Sequence, residues 1–334
     1  MYIIDTLYSL YKPAYRKSLL EISKDLAREN HKNRLIIMGD MLRCSLFDGA
    51  MFTEYGDLDF FYRTKENRKT FITTYYNFKL YNQINQKALR AVFHDKIQFL
   101  QRFSDYIDRD WIALKTATDK DIEQFLRNHT KIVLKASYGD SGKEVEVEEV
   151  GNTSLQEFKN HILAKGYDLA EACIVNHPDV ASFNPSSLNT VRIVTVNNSS
   201  CVSILFAGLR VGGKGSLIDN ISQGGAVAKI DIDTGCIVSK FYTKKSSYNC
   251  ADSPEKNAHK EALPYWPELV QTVKRAATVV PQMGIVAWDV AITPDGLDII
   301  EGNESFGSVI MQLYYSHKEC GLKPTLLELL EKEG

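Results

Sequence analysis

Residues 285–303, IVAWDVAITPDGLDIIEGN, constrain the fold more than any other stretch of the chain. Two apolar runs flank Thr293–Pro294–Asp295–Gly296, where proline presets φ and glycine accepts a left-handed backbone, so the segment predicts a β-hairpin. Each strand nonetheless carries polar groups at the end away from the turn: Asp289 on the first, Glu301 and Asn303 on the second. Side chains two apart on a strand share a face, so Glu301 and Asn303 point the same way, and pairing across the turn brings Asp289 roughly opposite Glu301. Three oxygen donors then converge, a set that suits Mg²⁺, which binds through a few carboxylates plus the phosphates of a nucleotide. The alternative is a solvated strand end with ordinary surface acids. The hairpin alone leaves both open.

A strand-rich region surrounds it. SFNPSSLNTVRIVTV, VSILFAGLRVGG and AVAKIDIDTGCIVSKF precede the hairpin, with a helix predicted over about 264–280. Upstream, a helix over about 94–104 leads to DWIALKTAT, the helix DKDIEQFLRNH, the strands KIVLKAS and VEVEEV, a helix around 154–165 and the strand DLAEACIVNH. Residues 1–92 carry apolar and aromatic residues at helical spacing, in LYSLYKPAYRKSLLEISKDLAREN and ENRKTFITTYYNFKLYNQINQKALRAVF, with Gly49 and EYGDLDFF expected to separate them. Their aromatic residues read as the core face of helices rather than a stacking platform. Alternating helices and strands followed by a mostly antiparallel sheet imply an α+β architecture.

At 334 residues the chain is too long for one ordinary core, so two or three lobes are expected. Forty basic against 42 acidic residues, a net charge of −2, demand neither nucleic acid nor an acidic membrane surface as partner. Cys44, Cys173, Cys201, Cys236, Cys250 and Cys320 show no metal-ligand spacing and read as reduced. No apolar run reaches the ~20 residues of a membrane span, and the N-terminus has no signal-peptide pattern. A cytoplasmic protein is expected.

KIVLKASYGDSGK, residues 131–143, is the stretch best suited to phosphate. A strand ending at Lys135 runs into a loop of glycines and serines whose N–H groups can approach phosphate oxygens, and the lysine supplies a point charge. A plain hairpin turn beside a surface lysine is the alternative. GDSG at 139–142 has the letters of a serine-protease loop, but the helix-rich first third argues against that fold. GLRVGGK at 208–214 has the letters of a P-loop, but Gly215 follows it and no helix does. Arg192 and Arg210, inside otherwise apolar strands, need anionic ligands or structural ion pairs. Glu171 lies on the apolar strand LAEACIVNHP, and DNISQGG at 219–225 can turn or close over a phosphate. Tyr265 and Trp266 read as packing residues ahead of a helix more than as a sugar platform. No Cys–His or Ser–His pairing stands out, and His94, His129, His161 and His177 read as structural.

Taken in order, HDK, KIVLKASYGDSGK, AEACIVNHP, SLNTVRIVT, LRVGG followed by DNISQGG, GIVAWDVAITPDG and IIEGN resemble the ATP-grasp superfamily, most closely its sugar-transfer branch tied to surface-polysaccharide biosynthesis. The resemblance covers roughly residues 93–310. It implies two α+β lobes whose antiparallel sheets clasp ATP: a small lobe over 93–183 and a large lobe over 184–334 carrying the metal site, after a mostly helical region over 1–92. Asp289, Glu301 and Asn303 match its metal ligands, for two Mg²⁺ ions or Mn²⁺ in their place, with Glu301 bridging. Lys96 and Lys135 match its two phosphate-binding lysines, and Ser137, Tyr138, Gly139, Ser141 and Gly142 its flexible loop. Glu171, Ala172 and Ile174 match its adenine hinge, His177 and Asp179 the ribose edge, where the motif departs from the common acidic one. Arg192, Arg210 and Asn220 match positions facing the γ-phosphate and the reacting carboxylate.

The activity so implied is carboxylate–amine ligation through an acyl phosphate, joining an amino acid or small amine to a sugar acid or nucleotide-sugar acid beside glycosyltransferases. Positioning and positive charge dominate such a transfer, and no protein nucleophile is needed. Two other readings keep part of this site: a kinase acting on a sugar or polyol hydroxyl, and a non-enzymatic nucleotide-binding module.

Overall fold

The computed structural model describes residues 2–139, 145–151, 153–213, 215–216, 219, 224–244 and 261–332. Four strands, β1 (Trp111–Ala113), β2 (Lys131–Lys135), β3 (Val145–Glu149) and β4 (Leu169–Ala172), form an antiparallel sheet in the order β1-β4-β2-β3. Alternation along β2 buries Ile132 and Leu134, which join Ala170, Phe125 and Phe158 in a core beneath helices Asp119–Asn128 and Leu155–Lys165. Both helices begin at capping boxes, Thr118 with Asp121 and Ser154 with Glu157, which satisfy N-terminal donors reciprocally. The opposite face is left to Lys135 and Glu171, which the register sets on one side: Glu171 pairs with Val133, two residues from Lys135.

Five further strands form the larger antiparallel sheet: β5 (Thr190–Asn197), β6 (Val202–Val211), β7 (Ala226–Lys229), β8 (Ile285–Ile292) and β9 (Leu297–Asn303), in the order β7-β6-β5-β8-β9. One face packs Ile193, Leu209, Trp288 and Val290 against helix Trp266–Val279 and against Phe99 and Phe103. Trp288 is fully buried there, and its Nε1 donates to Thr195 Oγ1 at 2.9 Å. The other face is apolar at one end, where Val194, Ile285 and Ala287 meet Phe306, Met311 and Leu326. At its other end it becomes charged. Gly302 permits the crossing of the two regions, since a Cβ there would come within 2.9 Å of both Phe93 and Phe99.

The first 92 residues are helical, as expected, but not in the expected pieces. Helices Ile3–Tyr11 and Pro13–Asn30 cover the first predicted segment, and helix Arg34–Asp48, unassigned from the pattern, follows. EYGDLDFF is not a break: it supplies helix Phe52–Asp57 and the single turn Phe60–Tyr62. The second predicted helix splits into Lys65–Arg68, Thr74–Ile84 and Ala91–His94, because the stretch Thr70–Thr73 turns inward to bury Phe71 and Ile72. Arg63 ties this region to the C-terminal segment, donating to the carbonyls of Tyr315 (2.9 Å), Ser316 (2.8 Å) and Glu319 (3.2 Å).

The cores do not part where the lobes were drawn, at 93 and 183. Phe99, Phe103, Val180 and Phe183 all belong to the core of the five-stranded sheet. The four-stranded sheet therefore owns only about residues 111–172. Trp266 is buried and donates to Ile232 O at 3.0 Å, the packing role expected of it. Gly208–Val211 lie within β6, so the P-loop letters sit in a strand.

Candidate active site

The hairpin forms as read: β8 pairs with β9, Asp289 stands opposite Glu301, Asn303 opposite Ala287, and Thr293 N donates to Gly296 O at 2.9 Å across the turn. Arg192 on β5 is cross-strand from Asp289, and Thr190 pairs with Arg210 on β6. Arg192, Arg210, Asp289, Glu301 and Asn303 are thus gathered at one end of one sheet face. Arg192 grips Asp289 in a fork, Nε to Oδ1 at 2.7 Å and Nη2 to Oδ2 at 2.5 Å. Arg210 Nη1 donates to both oxygens of the same carboxylate at 2.9 Å, and its Nη2 reaches Asp219 Oδ1 at 2.9 Å. Asp219 also accepts from Thr190 N at 3.1 Å. Burial pushes the Asp289 carboxyl up, but the two guanidiniums outweigh it and hold the group well below the carboxylate range. Glu301 moves the other way: burial and the neighbouring Asp289 charge raise it, and Asn303 Nδ2 donates to its Oε1 at 3.0 Å.

A second buried cluster joins the two sheets. Lys135 Nζ donates to Glu171 Oε2, and Arg109 Nη2 donates to Glu171 Oε1 at 3.0 Å. Arg109 Nη1 donates to Asp298 Oδ1 on β9, and its backbone N–H to Asp298 Oδ2 at 2.8 Å. Burial alone would raise Glu171, but Arg109 and Lys135 hold it down at about 2. Asp298, which shares one guanidinium and faces the Glu171 charge, is raised by burial.

The other expected site residues are placed as follows. Lys96 Nζ donates to the carbonyls of Ala136 and Gly139, each at 3.1 Å, beneath the turn that follows β2. Ser137 is buried and given over to Asp168, donating to it through N–H (2.6 Å) and hydroxyl (2.8 Å), whereas Tyr138 is exposed. Ala172 N–H donates to Asp110 O at 2.8 Å, and Ile174 lies in the extended segment that leaves β4. His177 caps the short helix Pro178–Ala181, its Nδ1 accepting from Asp179 N at 3.3 Å, and Asp179 is exposed. Ser141, Gly142 and Asn220 lie outside the described residues. The histidines read as structural have local acidic neighbours: His94 with Glu304 (2.9 Å), His129 with Asp110 (3.2 Å) and His161 with Glu146 (3.4 Å).

Sequence reasoning missed Arg109, Asp298, Asp219 and Glu304. Asp219 opens the noted DNISQGG loop and Glu304 follows the EGN triplet, so both had a signal at hand. Arg109, within DYIDRDW, had none.

The donor set bears on whether a metal fits. Among the described residues no group of three or more His, Cys, Asp and Glu side chains forms a metal cluster, so the candidate is two carboxylates and an amide. Those are hard oxygen donors, and the half-buried Glu301 beside Asp289 has no ion pair of its own among the described residues. The residues fit a small divalent ion that takes its remaining ligands from elsewhere. Among the described residues no helix is long and apolar enough to cross a membrane.

The sequence profile of the sugar-transfer associated ATP-grasp proteins matches residues 75–328. No curated protein matches the chain. Similar solved structures include the ATP-grasp ligase PsnB complexed with a minimal precursor, at 12% identity, 74% of this chain and 62% of that one, with a TM-score of 0.42. D-cycloserine synthetase DcsG matches at 14% identity over 74% of this chain and 73% of its own, with a TM-score of 0.45. The D-alanyl-alanine synthetase A of Vibrio cholerae matches at 11% identity over 73% and 61%, with a TM-score of 0.40. The chain thus spans 62% of the length of the first of these.

Proposed function

The chain belongs to the sugar-transfer associated ATP-grasp family, with the ATP-grasp fold, and on that premise we propose that it is an ATP-dependent carboxylate–amine ligase. The observation that carries this reading is the gathering of Arg192, Arg210, Asp289, Glu301 and Asn303 on one sheet face. In the proposed reaction a substrate carboxylate oxygen attacks the γ-phosphorus of ATP, the bond to the β–γ bridging oxygen breaks, and an acyl phosphate and ADP result. An amine then attacks the acyl carbon, phosphate leaves, and the amine gives up a proton as the amide forms.

Each step builds negative charge on phosphoryl or acyl oxygens, and fixed positive groups lower its cost. Arg192 and Arg210, oriented by Asp289, would meet that charge; the resemblance assigns Asn220 to the same task. Lys135 would exchange Glu171 for a phosphate oxygen, while Lys96 braces the turn over Ala136–Gly139, which with Ser141 and Gly142 would cover the phosphates. Glu171, Ala172 and Ile174 would border the adenine, and His177 and Asp179 the ribose. Asp289, Glu301 and Asn303 would hold Mg²⁺, as two ions or with Mn²⁺ in its place, which when bound supplies positive charge to the phosphate oxygens. The family description speaks of sugar transfer, and within that frame the proposal takes a sugar acid or nucleotide-sugar acid as the carboxylate, an amino acid or small amine as its partner, and a cytoplasmic role beside glycosyltransferases in surface-polysaccharide synthesis.

The test is ADP release from MgATP with pooled uronic acids and nucleotide-sugar uronates, with and without hydroxylamine. ADP together with a hydroxamate supports ligation. ADP with a stable sugar phosphate and no hydroxamate replaces it with a kinase, and bound nucleotide without turnover on any acceptor replaces it with a binding module.

A further inference from the structure

A cavity of about 220 Å³ lies between helix Thr74–Ile84 and the segment 305–310 that follows the EGN strand. It adjoins the charged end of the large sheet: a Cβ at Gly307, on the cavity wall, would stand 3.4 Å from Arg192 Nη1. From the helix come Asn77, Phe78 and Tyr81; from the segment, Ser305 and Ser308; and at one side stands Lys244. Helical spacing explains the first group, since residues three and four apart share a helix face.

Three properties of this wall select a ligand. Phe78 keeps an unusually exposed ring, 56% accessible, set edge-on to Tyr81 with centroids 5.4 Å apart. Such a ring offers an apolar face to the C–H side of a flat, hydroxylated molecule. Ser305, exposed on the segment after β9, brings a hydroxyl that can both donate to and accept from a ligand. Among the described residues lining the cavity, Lys244 alone is charged, so the wall offers a cation and hydroxyls but no carboxylate to meet an ammonium. The volume lies below the ~300–1,000 Å³ of typical small-molecule pockets, and so suits a single ring.

We infer that this cavity, walled by the helical N-terminal region on one side and by the segment after β9 on the other, is the acceptor site, and that it takes a monosaccharide acid. The ring stacks on Phe78, a hydroxyl meets Ser305 Oγ, and the carboxylate lies toward Lys244 and the Gly307 wall beside Arg192. An amino acid zwitterion is disfavoured because no anion is among the described residues lining the cavity, Glu54 being buried behind Thr74 and taken up by its N–H and hydroxyl. The assignment deepens the ligase reading and rests on it for the direction in which the carboxylate reacts.

The test is calorimetric titration of the full chain with D-glucuronate, D-galacturonate, methyl glucoside and L-glutamate, alongside a separate titration with the MgATP analogue AMPPNP. Saturable binding is expected for a uronate and not for the neutral sugar or the amino acid. It should weaken about tenfold, worth ~1.4 kcal/mol, in Phe78→Ala and in Lys244→Gln, with AMPPNP binding unchanged in both. Phe47→Ala, an exposed aromatic on helix Arg34–Asp48, should leave uronate binding as it was. Analogue binding with no uronate bound, equal binding of glutamate or methyl glucoside, or variants that bind as wild type would overturn the acceptor assignment alone. Uronate binding with the expected variant pattern but no AMPPNP binding would uphold the cavity and overturn the ligase reading.

Discussion

The two charge clusters both set arginine against carboxylates and differ in their arithmetic. Around Arg109, two cations (Arg109 and Lys135) face two carboxylates (Glu171 and Asp298). Around Asp289, two cations (Arg192 and Arg210) face three carboxylates (Asp219, Asp289 and Glu301). The first cluster is balanced and joins two sheets. The second carries one acid too many, and the excess sits on Glu301 at the edge of the hairpin. Buried charge is costly unless paired, so balance fits a structural tie, and imbalance fits the metal position of the proposed reaction.

The largest expected effect tests the imbalance. Glu301→Gln should lower turnover by at least about 10³-fold while leaving the midpoint of thermal unfolding unchanged or raised, because the half-buried acid in excess of the two guanidiniums has been removed. Full activity, or a drop in stability of several kcal/mol, would erase the distinction between the clusters. Arg109→Ala should do the reverse in kind. It strands Glu171 and Asp298 without their shared cation and should cost about 3–5 kcal/mol of stability, read by urea denaturation; a loss below about 1 kcal/mol would show that the tie between the sheets lies elsewhere.

Acid should release the same tie. The Glu171 carboxyl, at about 2 in the folded chain against an ordinary 4.5, contributes stability that is fully present above pH 4.5 and lost as pH falls toward 2. The shift corresponds to about 3 kcal/mol. A pH series of urea midpoints should show that acid limb flattened in Glu171→Gln; identical limbs would locate the acid sensitivity in other carboxylates. The smallest effect concerns the residue assigned to both a cluster and the nucleotide. Lys135→Ala should weaken binding of the MgATP analogue about tenfold, ~1.4 kcal/mol, at less cost to stability than Arg109→Ala, because Glu171 keeps Arg109. A larger stability loss than that of Arg109→Ala would reverse their roles.

Much of the site was legible because it is local. Asp289, Glu301 and Asn303 belong to one hairpin, and a turn such as Thr293–Gly296 fixes which residues stand opposite one another. Arg192 and Arg210 were marked as charges inside apolar strands, and the register brings them to that hairpin. The helical first third was legible in kind but not in its breaks, since Phe71 and Ile72 leave the helical pattern to fill cores made with residues beyond position 300.

Alternation and turn chemistry in the sequence determined the two sheets, the hairpin and the residue types at its open end, since strand period and glycine or proline geometry act over a few residues. Which charges are balanced was decided by tertiary structure alone. Arg109 meets Glu171 across 62 positions and Asp298 across 189. Asn77 meets a cavity wall made by residues 305–310. No linear pattern carries such pairings, because they arise only when separate elements, each already formed for its own reasons, pack and exclude the water that would otherwise have solvated the charge.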